Sequence, residues 1–300
     1  MCFLIPIKYN KRNYPERIVP KIEELAGNFK KTSINPSQNM NYCLHTEYSY
    51  LAKDFDKNII LEDLPTIKKS HKNFVPKLWI NAEWSKEFIF FIKKLVNDNI
   101  PPKLIEIHPP FNDYCKRIED FIDIYSIFEN DILKEYPKTE ILIENRAGTR
   151  YSGGKFLIST QQDIINLFRF LRNTQLKLKL VLDIPQLFTA HKINFYSKKI
   201  INGNNITDLL QPLEKYKDKI AGIHIWGKKK SVKGNLLAHH GDLNTFFNQN
   251  QNMKNIFLLQ MYELFNDGNS RYFVPEVNSG NEDVKSIVND FINTGFEFIY

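Results

Sequence analysis

The chain has 300 residues, of which 42% are hydrophobic and 25% are charged, as is usual for a soluble globular protein. The formal net charge of +7 favours an acidic partner such as nucleic acid or a phosphorylated substrate. The apolar run at residues 1–8 is too short for a membrane span or a complete signal peptide, and the three cysteines have no metal-ligand spacing. We expect a cytoplasmic protein without a membrane partner or an evident protein partner, in which residues 1–300 form a single domain.

The first hundred residues have an irregular pattern. Residues 3–7 and 41–46 have the apolar composition of strands, whereas residues 16–29 and 85–96 have the spacing of helices. An eight-stranded fold needs one further strand, for which residues 32–34 and 78–81 are both candidates.

From about residue 100 onward, apolar runs alternate with amphipathic stretches. The predicted strands are 103–108, 140–144, 176–183, 220–226 and 271–276. The predicted helices are 118–133, 160–171, 206–216, 253–265 and 281–293. This alternation is typical of βα units around a parallel sheet, and it predicts an α/β fold of the (β/α)8 TIM-barrel class.

Potential metal ligands stand at or beside the end of nearly every predicted strand. In a β/α barrel the carboxyl ends of the strands meet at one mouth, so residues that are distant in sequence converge there. Imidazole nitrogens and carboxylate oxygens are donors that Zn²⁺, Mn²⁺ or Fe²⁺ accept, and a carboxylate can bridge two ions. The candidate ligands are His45, His108, Glu144, Asp183, His224 and Glu276.

The order of these residues resembles that of the endonuclease IV family of apurinic/apyrimidinic (AP) endonucleases, within the xylose isomerase-like TIM barrels. The resemblance covers about residues 41–280. Its most specific part is the Glu-Asn-Arg-Ala-Gly segment at residues 144–148, which stands between a His-Pro-Pro segment at 108–110 and a His-His pair at 239–240.

The resemblance implies an enzyme that uses divalent metal ions, two in number, to act on DNA. By the resemblance, one ion is held by His45, His108 and Glu144, and a second by Glu144, Asp183, His224 and Glu276. Glu144 would bridge the ions and Glu276 would help to deprotonate water, which makes both residues catalytic. His239 or His240 would touch a third ion or the substrate.

The chain departs from the family pattern at two positions. Gln186 and Leu237 stand where the family has ligands of a third ion, so two of the three ligands of that ion are missing. Gln186 then becomes a candidate contact to the substrate.

Basic and aromatic residues near the strand ends are candidate DNA contacts. Tyr48 fits the position of a family tyrosine that contacts opened DNA. The alternative role for Tyr48 is ordinary aromatic packing. Arg146 and Arg150 can clamp a phosphate or pair with neighbouring carboxylates. Lys228 and Lys229 can contact phosphates or belong to a solvated lysine loop.

The leading hypothesis is a metal-dependent phosphodiesterase acting on DNA, similar to an AP endonuclease. The alternative is a single-metal sugar isomerase or epimerase acting on a small sugar or sugar phosphate, because the four candidate ligands from Glu144 to Glu276 also resemble that site. A DNA-binding protein with a decayed site is a third possibility. His45 and His108 favour the phosphodiesterase, since a second ion is useful for phosphodiester cleavage.

Overall fold

A computed structural model describes residues 1–49, 62–71, 75–149, 154–197 and 201–299. The chain divides into two compact units: the first unit comprises Met1–Glu23 and Val181–Tyr300, and the second unit comprises Glu24–Leu180. No helix in the described part of the chain combines the length and apolar character needed to cross a membrane. That residues 1–300 form a single domain stays a prediction.

The described strands and helices alternate along most of the chain. The strands are β1 Cys2–Lys8, β2 Ile22–Gly27, β3 Asn41–Thr46, β4 Leu104–Ile107, β5 Glu140–Glu144, β6 Lys179–Asp183, β7 Ile220–Ile225, β8 Lys228–Lys230, β9 Leu236–Ala238, β10 Ser270–Pro275 and β11 Phe296–Phe298. The α-helices are α1 Pro65–Lys69, α2 Ala82–Val96, α3 Ile118–Glu135, α4 Gln161–Leu171, α5 Ile184–Ala190, α6 Gly203–Leu210, α7 Leu243–Phe246, α8 Gln251–Phe265 and α9 Asn281–Thr294. A 3-10 helix at Gln211–Lys219 follows α6.

In the second unit, β3 pairs in parallel with β4, and β4 pairs in parallel with β5. Helices with well-defined starts connect these strands. Asn81 caps α2 by accepting a hydrogen bond from the backbone N–H of Trp84, and Thr160 forms a reciprocal capping box with Asp163 at the start of α4. Each helix therefore begins where its sequence supplies an oxygen for the exposed N–H groups.

In the first unit, β1 pairs in parallel with both β10 and β11, and β10 pairs in parallel with β7. The pairing of β1 with β10 joins the first strand to the eighth of the βα-type strands, as closure of a barrel requires. Strands β1 to β7, β10 and β11 all belong to one sheet. The predicted fold class is confirmed: the chain is an α/β protein of the (β/α)8 TIM-barrel class.

The prediction for residues 16–29 is wrong, because this segment contains the strand β2 and not a helix. Ile22 and Glu23 pair in parallel with Ile7 and Lys8 of β1, and this pairing overrides the helix propensity of the Glu-Glu-Leu-Ala sequence. The eighth strand is therefore β2, and neither residues 32–34 nor residues 78–81 form it.

Aromatic side chains fill the core of each unit. In the second unit, Trp79 packs against Trp84 and Phe128 with ring centroids 5.0 and 5.4 Å away. Its indole N–H also donates to the backbone oxygen of His108 at 2.8 Å, so this core anchors the residue that follows β4. In the first unit, Phe188 packs against Phe246 at 5.8 Å between centroids.

Candidate metal centre

The register of β3, β4 and β5 gathers four potential metal ligands in the second unit. His45 of β3 is the register partner of Glu106 in β4. His108 stands two residues after Glu106 and therefore projects to the same face. Ile107 pairs with Ile143, so His108 and Glu144 are the next residues along their strands. We call His45, Glu106, His108 and Glu144 the four-donor group, and one ligand atom from each lies within 4.8 Å of the others.

The donor atoms of this group face one another at short distances. The Nε2 atoms of His45 and His108 are 3.0 Å apart, and Nε2 of His108 lies 2.8 Å from Oε2 of Glu144. Nε2 of His45 lies 3.7 Å from Oε1 of Glu106. His108 and Glu144 are fully buried, and Glu106 is 1% exposed. Water therefore has little access to these contacts.

A hydrogen-bond partner at Nδ1 fixes the tautomer of each imidazole. Nδ1 of His45 lies 2.9 Å from the Glu24 carboxylate, and Nδ1 of His108 lies 3.1 Å from the backbone oxygen of Glu47. Both partners only accept hydrogen bonds, so each Nδ1 carries the proton. In the neutral imidazoles both Nε2 atoms then present lone pairs to the centre of the group, which is the arrangement of metal-binding histidines with carboxylate or carbonyl partners.

The two imidazoles differ in pKa. Burial alone would lower the pKa of His45, but the Glu106 and Glu24 carboxylates raise it to about 10. Burial lowers the pKa of His108 to about 4 despite its contact with Glu144. At neutral pH and without a metal ion, His45 therefore carries a second ring proton and a positive charge, whereas His108 is neutral.

The chemistry of the donor set fits a divalent cation. Two imidazole nitrogens and two carboxylate oxygens suit Zn²⁺, Mn²⁺ or Fe²⁺. A single proton on His45 can satisfy only one of the short contacts, whereas a cation at the centre attracts all four donor atoms. The three cysteines are buried free thiols and do not belong to the group. These buried residues could hold a metal ion.

Arg146 and Tyr48 line the same group. The Nη1 atom of Arg146 donates to both oxygens of Glu144 at 3.0 Å. Its guanidinium lies 5.2 Å from the ring centre of Tyr48 and 5.5 Å from that of Phe156. The Tyr48 ring also meets the His108 ring edge-on at 5.6 Å. Arg146 is thus held between two aromatic rings as a fixed positive charge beside Glu144.

Three further predicted ligands come together in the first unit. His224 lies in β7 opposite Val274 of β10, and Glu276 follows β10, where its backbone N–H donates to the oxygen of Ile225 at 3.0 Å. Nδ1 of His224 is 3.2 Å from Oε1 of Glu276. Asp183 ends β6, and one of its oxygens lies within 4.8 Å of a ring nitrogen of His224. All three are buried.

Hydrogen bonds fix the carboxylate of Asp183. The backbone N–H of Gln186 donates to Oδ1 at 2.8 Å, and its side-chain amide donates to Oδ2 at 2.9 Å. The indole N–H of Trp226 donates to Oδ2 at 3.0 Å. Gln186, where the family resemblance leads one to expect a metal ligand, therefore orients Asp183 in this chain.

The two candidate loop ligands differ in position. Nδ1 of His239 lies 3.1 Å from the backbone oxygen of Glu276, and its ring stacks on Trp226 with centroids 4.3 Å apart. Nδ1 of His240 bonds instead to the backbone oxygen of Ala238 at 2.8 Å. Among the described residues, neither histidine belongs to a group of donor atoms that could hold an ion.

The predicted lysine contacts lie on a β-hairpin formed by β8 and β9. Lys228 is partly buried, donates to Thr189 Oγ1 at 3.2 Å and lies over the rings of Trp226 and Phe246. Burial lowers its pKa. Lys229 is exposed. Arg150 lies outside the described residues.

Glu106 and Glu24 were not predicted from the sequence. Glu24 lies inside β2, and Glu106 is the penultimate residue of β4. The sequence does contain a sign that Glu106 has a role, because it is a carboxylate within the apolar run Leu-Ile-Glu-Ile at residues 104–107. A buried carboxylate needs a cation or hydrogen-bond donors.

No known protein family matches the sequence, and no curated protein matches it. Solved structures with a similar chain fold are known. One described as "The crystal structure of AsfvAP:AG" is similar over 98% of this chain and 97% of that chain, with 12% identity and a TM-score of 0.54. A "Xylose isomerase domain protein from Planctomyces limnophilus" is similar over 86% and 88%, with 11% identity and a TM-score of 0.39. At such an identity the first match shows a shared fold and no more.

Proposed function

We propose that the chain is a metal-dependent phosphodiesterase acting on DNA, similar to an AP endonuclease. The observation that carries the proposal is the meeting of His45, His108 and Glu144, with both Nε2 atoms directed at one centre. The fold shared with an AP endonuclease-like structure supports it at the level of architecture. The formal charge of +7 is favourable for a polyanionic substrate.

The proposed reaction is hydrolysis of a phosphodiester. Water adds to phosphorus, one bridging phosphorus–oxygen bond breaks, and the leaving oxygen gains a proton. Divalent ions at such sites polarise phosphoryl oxygens and lower the pKa of water. Glu144 orients the donors around it, and Glu276 accepts a proton from water.

Arg146 and Tyr48 bind the substrate in this proposal. Arg146 is fixed beside Glu144 and pairs with a non-bridging phosphate oxygen, where its planar guanidinium suits an anion. Tyr48 presents an aromatic face next to that charge and stacks on an unpaired sugar or base. Lys229, on the exposed hairpin, contacts a more distant phosphate.

The second unit supplies His45, His108 and Glu144, and the first unit supplies Asp183, His224 and Glu276. We propose that each set of three contributes to holding an ion, so that the enzyme uses two. Gln186 and Leu237 provide no ligands for a third.

A sugar isomerase or epimerase is the second candidate. The contact of 3.2 Å between His224 and Glu276 favours it, because imidazole and carboxylate groups are donors that a single ion accepts. In that reaction Glu144 and Glu276 would move protons beside the carbonyl of a small sugar or sugar phosphate.

Cleavage of a DNA duplex with one abasic site tests the proposal. The purified full chain is incubated with this duplex and either Mn²⁺ or Zn²⁺, beside Glu144→Gln and the control Glu129→Gln. Glu129 is a buried carboxylate of α3 outside the four-donor group, so it controls for the loss of a buried charge. We expect cleavage by the wild type and Glu129→Gln and none by Glu144→Gln. Intact duplex with every metal would contradict the proposal.

A further inference from the structure

Glu106 stands in the four-donor group although it is neither at a strand end nor part of the family resemblance. It is the register partner of His45, and the Thr46 hydroxyl donates to its backbone oxygen at 2.8 Å. The pairing with β3 and the Thr46 hydroxyl therefore fix the backbone of Glu106. Its side chain is 1% exposed and lies between apolar neighbours in β4.

The separations in the group match those of four ligands around one ion. Donors that lie 2.0–2.1 Å from a tetrahedral Zn²⁺ are about 3.3 Å from one another. Here the contacts between donor atoms of His45, His108 and Glu144 range from 2.8 to 3.7 Å, and His45 to Glu106 is 3.7 Å. The donor atom of Glu106 also lies within 4.8 Å of those of His108 and Glu144, so all four can turn toward a single centre.

The charges around the group also match one divalent ion. The Glu24, Glu106 and Glu144 carboxylates surround the two imidazoles, and Arg146 is the neighbouring cation. With His45 neutral, as a metal ligand must be, three negative charges and one positive charge leave an excess of two negative charges, which one divalent cation neutralises. Buried carboxylates without such compensation would be costly.

The other three donors are held in place by contacts outside the four-donor group. Glu24 holds His45, the backbone oxygen of Glu47 holds His108, and Arg146 holds Glu144. These contacts orient the donor atoms toward the centre, as outer-shell partners of metal ligands do. Glu24 therefore occupies an orienting position, whereas Glu106 presents its carboxylate to the same centre as the two Nε2 atoms.

We infer that Glu106 is the fourth protein ligand of a cation held by His45, His108 and Glu144. With four protein donors, a tetrahedral site is closed, which is typical of structural zinc sites, whereas catalytic sites keep a position for water. Glu106 fills that position. The ion in this site then fixes charge and geometry, and the water used in hydrolysis would be activated at the second proposed ion, beside Glu276. The inference rests on the metal dependence in the proposed function but not on the DNA substrate.

Binding of Co²⁺, followed by visible absorption, tests the inference without any measurement of activity. Four-coordinate Co²⁺ absorbs visible light much more strongly than six-coordinate Co²⁺, so the spectrum reports the coordination number. Metal-free protein carrying His224→Ala is titrated, because this substitution removes a donor of the first unit. Glu106→Gln and Glu24→Gln are then compared in that background.

We expect a strong four-coordinate spectrum without either further substitution. Glu106→Gln should weaken Co²⁺ binding more than about 100-fold and lose that spectrum, since a direct ligand matters more than an outer-shell partner. Glu24→Gln should weaken binding about 10- to 100-fold and keep the spectrum. An unchanged affinity and spectrum in Glu106→Gln, or equal effects of the two substitutions, would overturn the inference.

Diffraction from the unmutated protein provides a second test if Glu106→Gln does not fold. In a Zn²⁺-loaded crystal, anomalous scattering should place the ion about 2.0–2.2 Å from a Glu106 oxygen. A distance beyond about 3 Å, with water in the fourth position, would overturn the assignment. Neither experiment uses DNA, so either can fail while cleavage of abasic DNA is observed.

Discussion

The Nε2 atoms of His45 and His108 face each other at 3.0 Å, and their rings stack with centroids 4.9 Å apart. The two histidines come from different strands, and each donates its Nδ1 proton to a partner on the opposite side. Two like lone pairs are stable at this distance only when a proton or a cation lies between them. In the metal-free protein the proton of His45 fills this role, and a metal ion could replace it.

Metal binding should release a proton from His45. Its pKa of about 10 means that the metal-free imidazole is protonated throughout the physiological range, and a bound ion must displace that proton. Below pH 10 the apparent affinity should therefore rise about tenfold for each pH unit. Calorimetric titration with Mn²⁺ between about pH 6.5 and 8.5, in buffers of different ionisation enthalpy, measures both quantities. Affinity that does not change with pH would show that His45 is not a ligand.

The number of ions separates the two candidate reactions. We expect two divalent ions per chain, and about one fewer in His45→Ala or His108→Ala, because each variant loses an imidazole donor from the second unit. Elemental analysis of the purified proteins measures this. His71, which bonds to backbone oxygens of α1, provides the control His71→Ala with an unchanged metal content. One ion per chain, retained in both variants, would favour the isomerase.

Loss of Arg146 should slow phosphodiester cleavage. Arg146→Ala removes a fixed charge beside Glu144, and removal of one such donor costs about 100-fold in kcat. Arg146→Lys keeps the charge but not the planar group between two rings, so its rate should be intermediate. Arg169→Ala, on the exposed face of α4, is the control. Equal rates for wild type and Arg146→Ala would remove Arg146 from the site.

The ion pair between the buried Arg271 and the partly buried Asp267 should contribute to the stability of the first unit. Arg271 is 2% exposed, donates to both oxygens of Asp267 at 2.9 and 2.7 Å, and also donates to the backbone oxygen of Ile220. Arg271→Leu leaves these acceptors without their donor and should lower the free energy of unfolding by about 3–5 kcal/mol. Urea denaturation of the two proteins measures the difference.

The same pair makes stability depend on pH. Burial would raise the pKa of Asp267, but hydrogen bonds from Arg271 and neighbours hold it well below its ordinary value. Its stabilising contribution is therefore present above the unfolded pKa of about 3.9 and is lost as the pH falls through the folded value. The difference between wild type and Arg271→Leu should shrink in acid. The exposed pair Arg117–Asp120 provides a contrast, since Arg117→Leu should leave the free energy of unfolding almost unchanged.

The sequence predicted a strand correctly wherever a single short apolar segment corresponds to a single strand. Strands β3 and β5 begin and end where the sequence predicts, because turns and polar residues flank short apolar segments. Strand β2 could not be recognised. Its residues favour a helix, and only the pairing of Ile22 with Ile7 makes them a strand.

The candidate site could be predicted in part, since His45, His108 and Glu144 stand at or near strand ends and do come together. Glu24 and Glu106 were not predicted, because each lies among residues that read only as part of a strand or helix. Their roles depend on the register of neighbouring strands, which places Glu106 beside His45. Register is set by packing and by pairing partners, neither of which a single sequence displays.

Reconstitution of metal-free protein tests the central claim most directly. The full chain is treated with chelator, and cleavage of a duplex with one abasic site is then followed while Mn²⁺ or Zn²⁺ is added back. We predict no cleavage without metal and a saturable return of cleavage with it, absent in Glu144→Gln. Cleavage that persists in excess chelator, or that does not appear with any divalent ion, would contradict the claim that this group of buried donors supports metal-dependent phosphodiester hydrolysis.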